Sequence, residues 1–365
     1  MKIKVQKESF LKALQKVSNI IGSRTTLPVL ANVLMEAADG KLTLTTTDLE
    51  LRLTTEMEAE VEEAGKTTLP AKKLLGLVSK FRNGVVTIDS NENHHSTIQC
   101  GTVSIMLLGL NPDDFPVSPE FEVTRNVKIK QNEMAAILDR ISYAASTDDS
   151  RKVLQGILLS IKESKITAVA TDGKRLALVE RSLEEAPTGE DGDIIITLKS
   201  ANELKRIIGS EGDVLIEIGE KQITFRVDGT VIISKLIEGT YPNYRQVIPN
   251  SFKKTIDLPA EPFIYAIEIL SVTLSEASSP NIKLTFDANK LLFEANSSIG
   301  EGSESIDIAY EDEKMSASFN PNFLLDPFKH LPVEKVVLKI NDVVSPIAIE
   351  SGDGFLYVIM PMRNK

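Results

Sequence analysis

ESFLKALQKVSNIIG at residues 8–22, NEMAAILDRISYAAS at 132–146 and EPFIYAIEILSVTLS at 261–275 are three versions of one amphipathic helix, each with apolar residues at helical spacing. The segment after each helix is repeated as well. ADGKLTLTTTDLELRL, KESKITAVATDGKRLALV and DANKLLFEANSSIGEG read as strand pairs with a turn, and they bring Lys41, Lys165 and Lys290 into register at a repeat of about 124 residues. A second amphipathic helix completes the unit: LPAKKLLGLVSKF from Leu69, LKSANELKRIIG from Leu198 and NPNFLLDPFKHL from Asn320. Each leads into short alternating strands such as GVVTIDS, DVLIEIG and KVVLKIN. A period this long marks a duplicated domain, not a solenoid turn. The chain therefore reads as three similar domains in tandem, residues 1–127, 128–254 and 255–365. The first two close on FPVSP near Phe115 and YPNYRQVIP near Tyr241. Strands that alternate apolar and polar, beside helices with one apolar stripe, predict an α+β architecture with helices on one face of antiparallel sheets.

The totals bound what the chain does. With 42% apolar and 25% charged residues it has the composition of a soluble globular protein, and no stretch approaches the roughly 20 apolar residues of a membrane span. MKIKVQKESF alternates from its second residue and lacks the apolar run of an export signal. The single cysteine, Cys100, cannot form an internal disulfide, which points to a reducing compartment, the cytoplasm; the residue reads as a small buried hydrophobe. A net charge of -11 is unusual for a nucleic-acid binder, so the distribution of charge matters more than its sum.

At 100° per residue, Phe10, Leu11, Leu14, Val17 and Ile21 share one face of the first helix, with Lys12, Lys16 and Asn19 opposite. Leu74, Leu77, Val78 and Phe81 point inward with Lys72, Ser79 and Lys80 outward; Leu204, Ile207 and Ile208 point inward with Lys199 and Arg206 outward. Solvation explains any one such helix. Recurrence in two copies points to one basic surface separate from an acidic one, which suffices for sequence-independent phosphate binding. In the third copy the first helix exposes Tyr265, Glu268 and Ile269, the pattern of a subunit interface more than of DNA contact.

Enzyme constellations are thin. His94 and His95 are adjacent, so on a strand they face opposite ways, and no ligand follows at metal spacing. Asp48 and Asp172 sit in equivalent Thr-Asp turns with Asn296 at a similar place, a turn-shaping pattern. No glycine-rich phosphate loop of Walker type occurs, so no nucleotide, cofactor or metal is expected. A purely structural triple-repeat scaffold fits the acidic total as well as a DNA binder does, and convergence of the outward lysines on one concave surface separates the two.

RTTLPVLANVLME after the first helix, VATDGKRLALVE, SKLIEGTYPNYRQVIP and the terminal YVIMPMR together resemble the bacterial DNA sliding clamps, the beta subunits of DNA polymerase III, along essentially the whole chain. The resemblance implies a non-catalytic processivity factor: a head-to-tail homodimer closing into a ring of six similar units around duplex DNA, without sequence preference, helices lining the hole and sheets outside. It implies DNA-facing positions at Arg24, Lys72, Lys73, Tyr143, Lys199, Lys205 and Arg206, and a dimer interface in which Ile105 and Leu107 meet Ile269 and Leu270. Charges near Glu301 and Glu304 would pair across that interface, although SIMLLGL stands where relatives carry arginine.

The same resemblance implies a groove for short peptides of DNA polymerase subunits, the clamp loader and other partners. Its matching positions are Leu154, Thr171, Gly173, Lys174, Arg175, Leu176, Pro242, Val247, Asn320, Phe323, Val344, Pro346, Val358, Ile359, Met360, Pro361 and Met362. Methionine is adaptable and suits a surface that accepts several peptides. Without the resemblance, residues 358–362 read as a buried final strand. Lys174 stands where relatives often have histidine, Gln246 where arginine is common, and Asn364 and Lys365 extend past Arg363.

Overall fold

Apolar residues three and four apart give the first helix a single stripe, and the fold buries it. That helix, α1 (Lys7–Ser18), buries Phe10, Ala13, Leu14 and Val17 and leaves Lys12 exposed. It lies against α2 (Ala71–Lys80), which buries Ala71, Leu74 and Val78. The other α-helices among the described residues are α3 (Gln131–Ile141), α4 (Leu198–Ile207), α5 (Ala260–Ser271) and α6 (Pro321–Leu325). The computed structural model describes residues 1–22, 27–118, 122–274, 279–331 and 334–362. No described helix is long and apolar enough to cross a membrane.

The chain divides into two compact units. The first comprises Met1–Asn132, Pro187–Glu190 and Asn202–Leu236. Its larger sheet has eight strands in the order Arg125–Lys130, Asp213–Ile218, Gln222–Val227, Thr230–Lys235, Leu51–Glu58, Lys41–Thr47, Asn32–Ala38 and Gly65–Pro70. Its smaller sheet has five, in the order Glu60–Glu63, Lys2–Gln6, Val85–Ser90, His95–Cys100 and Val103–Leu108.

The second unit comprises Glu133–Ala186, Asp191–Ala201 and Ile237–Lys365. Its eight-stranded sheet runs Gly192–Thr197, Gly156–Lys162, Lys165–Thr171, Arg175–Ser182, Phe355–Ile359, Ile347–Glu350, Lys335–Ile340 and Lys254–Pro259, and its four-stranded sheet runs Gly300–Asp307, Lys290–Ser297, Ile282–Asp287 and Met315–Phe319.

The eight-stranded sheets do not respect the joints read from the sequence. Position 127 falls inside the strand Arg125–Lys130, and 254 opens the strand Lys254–Pro259. Each large sheet fuses four strands from one repeat with four from the next. The last strand of the second repeat, Thr230–Lys235, lies antiparallel on the fourth strand of the first, with Ile232 opposite Leu53. The last strand of the third repeat, Phe355–Ile359, lies in the same way on the fourth strand of the second, with Val358 opposite Leu176.

Unpaired sheet edges invite pairing with other chains, and several here are blunted. Glu60–Glu63 is short and acidic, with Glu62 held by Lys2 and Lys4 at 2.8 and 2.6 Å. Thr68, Asn126 and Ser318 on other edges are bridged by Leu110, Thr188 and Met362. The edge strand Val103–Leu108 instead exposes Val103, Met106 and Leu108.

Candidate functional site

The site begins with a turn. Thr171 Oγ1 donates to the Arg175 carbonyl at 2.5 Å and accepts from the Gly173 amide at 3.0 Å, while Asp172 Oδ1 accepts from the amides of Lys174 and Arg175 at 2.8 and 3.0 Å. Gly173 takes φ +84°, a region glycine enters without a Cβ penalty. The first repeat builds the same turn from Thr47 and Asp48, which bond Leu51 and the amides of Leu49, Glu50 and Leu51 at 2.8 to 3.1 Å. The turn-shaping role of both aspartates is thus visible as bonds. In the third repeat the hydroxyl of Ser297, not Asn296, accepts from the Ile299 amide at 3.3 Å.

The turn launches the strand Arg175–Ser182, whose alternation sends Arg175 to one face and Leu176 to the other. Arg175 is half-buried and held on every side. It pairs with Asp172 at 3.2 Å and with Asp326, donates to the Tyr143 carbonyl at 2.6 Å, and lies 4.5 Å from the Phe323 ring centre. Such an arginine organises the residues around it.

Tyr143 also departs from its expected DNA-facing place. Its ring stacks on His330 at 4.9 Å and tilts against Tyr357, its hydroxyl is buried, and burial raises its phenol well above the ordinary value. Burial likewise raises the Tyr357 phenol, against the pull of the Arg175 cation. The Tyr357 hydroxyl donates to the Phe323 carbonyl at 3.0 Å and so ties the last strand to α6.

On the outward face, Leu154, Leu176 and Val358 form one apolar cluster with Leu158, Val169, Ala348, Tyr241 and Tyr244. Three of the expected groove positions, Leu154, Leu176 and Val358, thus meet in one buried cluster. Pro242, Val247, Val344 and Met360 are exposed around it, and Phe323, Pro346, Pro361 and Met362 are half-buried. The Met360 amide donates to the Lys174 carbonyl at 2.9 Å and the Met362 amide to the Ser318 carbonyl at 2.7 Å, so the terminal segment is tethered to both walls by backbone. Asn320 caps α6, its side chain accepting from the Asn322 amide at 2.9 Å. Ile359 is fully buried and faces the other way, into the core, so it supports the groove without lining it. Lys174 is exposed beside the turn.

Of the basic positions, Lys72, Lys73 and Lys199 are exposed and Lys205 is half-buried. Arg206 is otherwise engaged. It pairs with Glu203 at 2.8 Å and donates to the carbonyls of Gln15 and Lys16 at the C-terminal end of α1, a favourable place for a cation. Arg24 lies outside the described residues.

At the expected interface, Ile269 is 49% exposed but Leu270 only 5%, because the Leu270 side chain packs onto Gly302. Ile105 and Leu107 lie on the half-buried face of their edge strand, and the exposed apolar side chains are Val103, Met106 and Leu108. The run SIMLLGL is apolar at nearly every position, so no alternation in it marks which side chains the strand exposes.

Family models cover almost the whole chain: the N-terminal, central and C-terminal domains of the DNA polymerase III beta subunit match residues 1–119, 128–243 and 245–363. The chain belongs to this family, the beta sliding clamps. It is 31% identical over 364 residues to the beta sliding clamp of Chlamydia muridarum, covering 100% of this chain and 99% of that one. The DNA polymerase III subunit beta of Pseudomonas aeruginosa superposes with a TM-score of 0.95 at 30% identity, covering all of both chains. A second structure of that Pseudomonas clamp, with the same score, identity and coverage, is bound to griselimycin.

Proposed function

We propose that the protein is a DNA polymerase processivity factor, a non-catalytic homodimeric clamp that encircles duplex DNA in the cytoplasm and holds polymerases, clamp loader and repair proteins by short peptides in the groove. The observation that carries this reading is the strand rule: each repeat's last strand pairs with the fourth strand of the repeat before it. One further step of the rule pairs Val103–Leu108 with Gly300–Asp307 of a second copy. A contact between two different surfaces, repeated head to tail, closes into a ring when its rotation closes. Met106, Leu108 and Ile269 would be covered by that contact, and Glu301 and Glu304 lie on the opposing strand.

In such a ring the exposed lysines at Lys72, Lys73 and Lys199 supply weak phosphate contacts whose affinity falls steeply with salt, while closure keeps the clamp on DNA. Sliding is a consequence of the same division, since phosphate contacts carry no sequence information. The groove supplies an apolar floor for bulky side chains, and tight binding would come from a few central anchors.

Native mass spectrometry tests the closure. Wild type should run at twice 40.1 kDa. Leu108→Asp and Ile269→Asp change side chains exposed in the single chain, so they should fold normally and run as single copies. A monomeric wild type, or a dimer indifferent to both changes, would refute this arrangement.

A further inference from the structure

The repeat that builds the groove also builds a counterpart where the first two repeats join. There the turn at Thr47 and Asp48 and the strands Leu51–Glu58 and Thr230–Lys235 stand in the places of the turn at Thr171 and Asp172 and the strands Arg175–Ser182 and Phe355–Ile359. A cavity of about 380 Å³ lies against them, lined among others by Leu49, Arg52, Pro116, Val117, Ile233 and Lys235.

Its chemistry differs from that of the groove in one decisive exchange. In the second repeat Arg175 points inward and Leu176 faces the groove. In the first, Leu51 is buried and Arg52 faces the cavity. Where the groove has an apolar floor, this cavity has a cation. The Arg52 guanidinium lies 5.6 Å from the Phe115 ring centre and donates to the Pro116 carbonyl. Burial lowers its pKa, opposed only by the field of Glu36, and among the described residues it pairs with no carboxylate. A partly desolvated cation without a counter-ion is a receptor for one.

The mouth carries apolar surface that the fold does not otherwise use. Leu49 takes φ +77° in the place where the second repeat has Gly173, and it is 48% exposed. A leucine in that region is strained, and an exposed side chain gains little burial in return. Val117 is 89% exposed. Glu50 also lines the mouth, leaving the two cations Arg52 and Lys235 against one acid.

We propose that this cavity is a second peptide site, selective for a segment in which a carboxylate side chain is flanked by aliphatic ones. The carboxylate sits on Arg52 and Lys235, and the aliphatic side chains cover Leu49, Val117 and Ile233. Charge complementarity identifies the acid, and the peptide class of the ligand rests on the reading of the groove as a peptide site.

The test uses the full-length protein and two fluorescein-labelled pentapeptide amides, the acidic GLEVL and its glutamine counterpart GLQVL, titrated by fluorescence anisotropy. Arg52→Gln should weaken the acidic probe at least about tenfold, the size of one charge-assisted hydrogen bond, while Arg52→Lys and Met362→Ala leave it within about twofold. In Met362→Ala the acidic probe should still bind at least about tenfold tighter than the glutamine probe. That comparison needs no change at Arg52 and so survives a poorly folded Arg52 variant. Equal binding of the two probes there overturns the proposal, as does an acidic probe that ignores Arg52→Gln or fails to bind wild type. If the acidic probe is lost only in Met362→Ala, the second site is wrong and the groove stands. A glutamine probe indifferent to Met362→Ala counts against the groove instead.

Discussion

Arg175→Met should loosen the groove from beneath without touching its apolar floor. Methionine keeps much of the stem but removes the cation, so Asp172, Asp326 and the Tyr143 carbonyl lose the guanidinium that bonds all three. The arginine side chain is only 11% exposed, so solvent does little to replace it. Removing one partner of a buried ion pair costs about 3 to 5 kcal/mol. Lys329 stays 3.0 Å from Asp326 and compensates in part, which favours the lower end, about 3 kcal/mol. At about 1.4 kcal/mol per factor of ten, local opening of the turn and of the start of α6 should become roughly a hundredfold more frequent. Hydrogen–deuterium exchange at the amides of residues 173–175 and 323–324 reads that opening directly. Adding Asp326→Leu to Arg175→Met should recover part of the loss, since the second change removes a stranded charge. Exchange within about threefold of wild type at those amides would show that the ion pairs are screened and that Arg175 does not hold the groove together.

Leu270→Asp should destabilise the third repeat by about 3 to 5 kcal/mol by placing a charge in its core against Gly302, whereas Ile269→Asp should leave thermal unfolding of the single chain unchanged; equal effects of the two would contradict their assigned faces. The phenols of Tyr143, Tyr241, Tyr244 and Tyr357 are raised by burial, so their neutral forms contribute stability below the ordinary tyrosine value of about 10 that is lost as pH rises past it. Near-ultraviolet absorbance should show them ionising only as the fold opens, and a single ordinary transition in native protein would contradict this. Hydrogen bonds from Lys2 and Lys4 lower the Glu62 carboxyl to about 2, so its contribution is present above the ordinary carboxylate range and is lost as pH falls through about 2. A carbon-13 titration of Glu62 should show that low midpoint at low salt and a rise in high salt.

The threefold repeat, the buried stripes of α1 and α2 and the Thr-Asp turns were legible in the sequence because each depends on residues near one another in the chain. The cross-joint strand pairs were not, since antiparallel register is a non-local choice that no single repeat contains. The same limit holds at individual positions. Leu270 lies beside exposed Ile269 on α5, and only the presence of Gly302 on a neighbouring strand decides which of the two is core. Arg206 keeps the outward helical position read for it, yet the α1 carbonyls within its reach belong to residues about 190 positions away. Tyr143 comes just after α3 in sequence, but His330 and Tyr357 claim its ring. The cluster of Leu154, Leu176 and Val358 was legible only through the family resemblance, because it combines residues from separate strands and loops.

Retention on DNA tests the central claim most directly. The protein, with a clamp loader and ATP, is assembled on a singly nicked circular duplex, and the salt is then raised until phosphate contacts no longer hold a linear fragment. An encircling clamp stays with the circle through gel filtration and leaves when a restriction enzyme linearises it. Equal loss from circle and linear DNA, or equal retention on both, would mean that the protein is held by contact and not by topology.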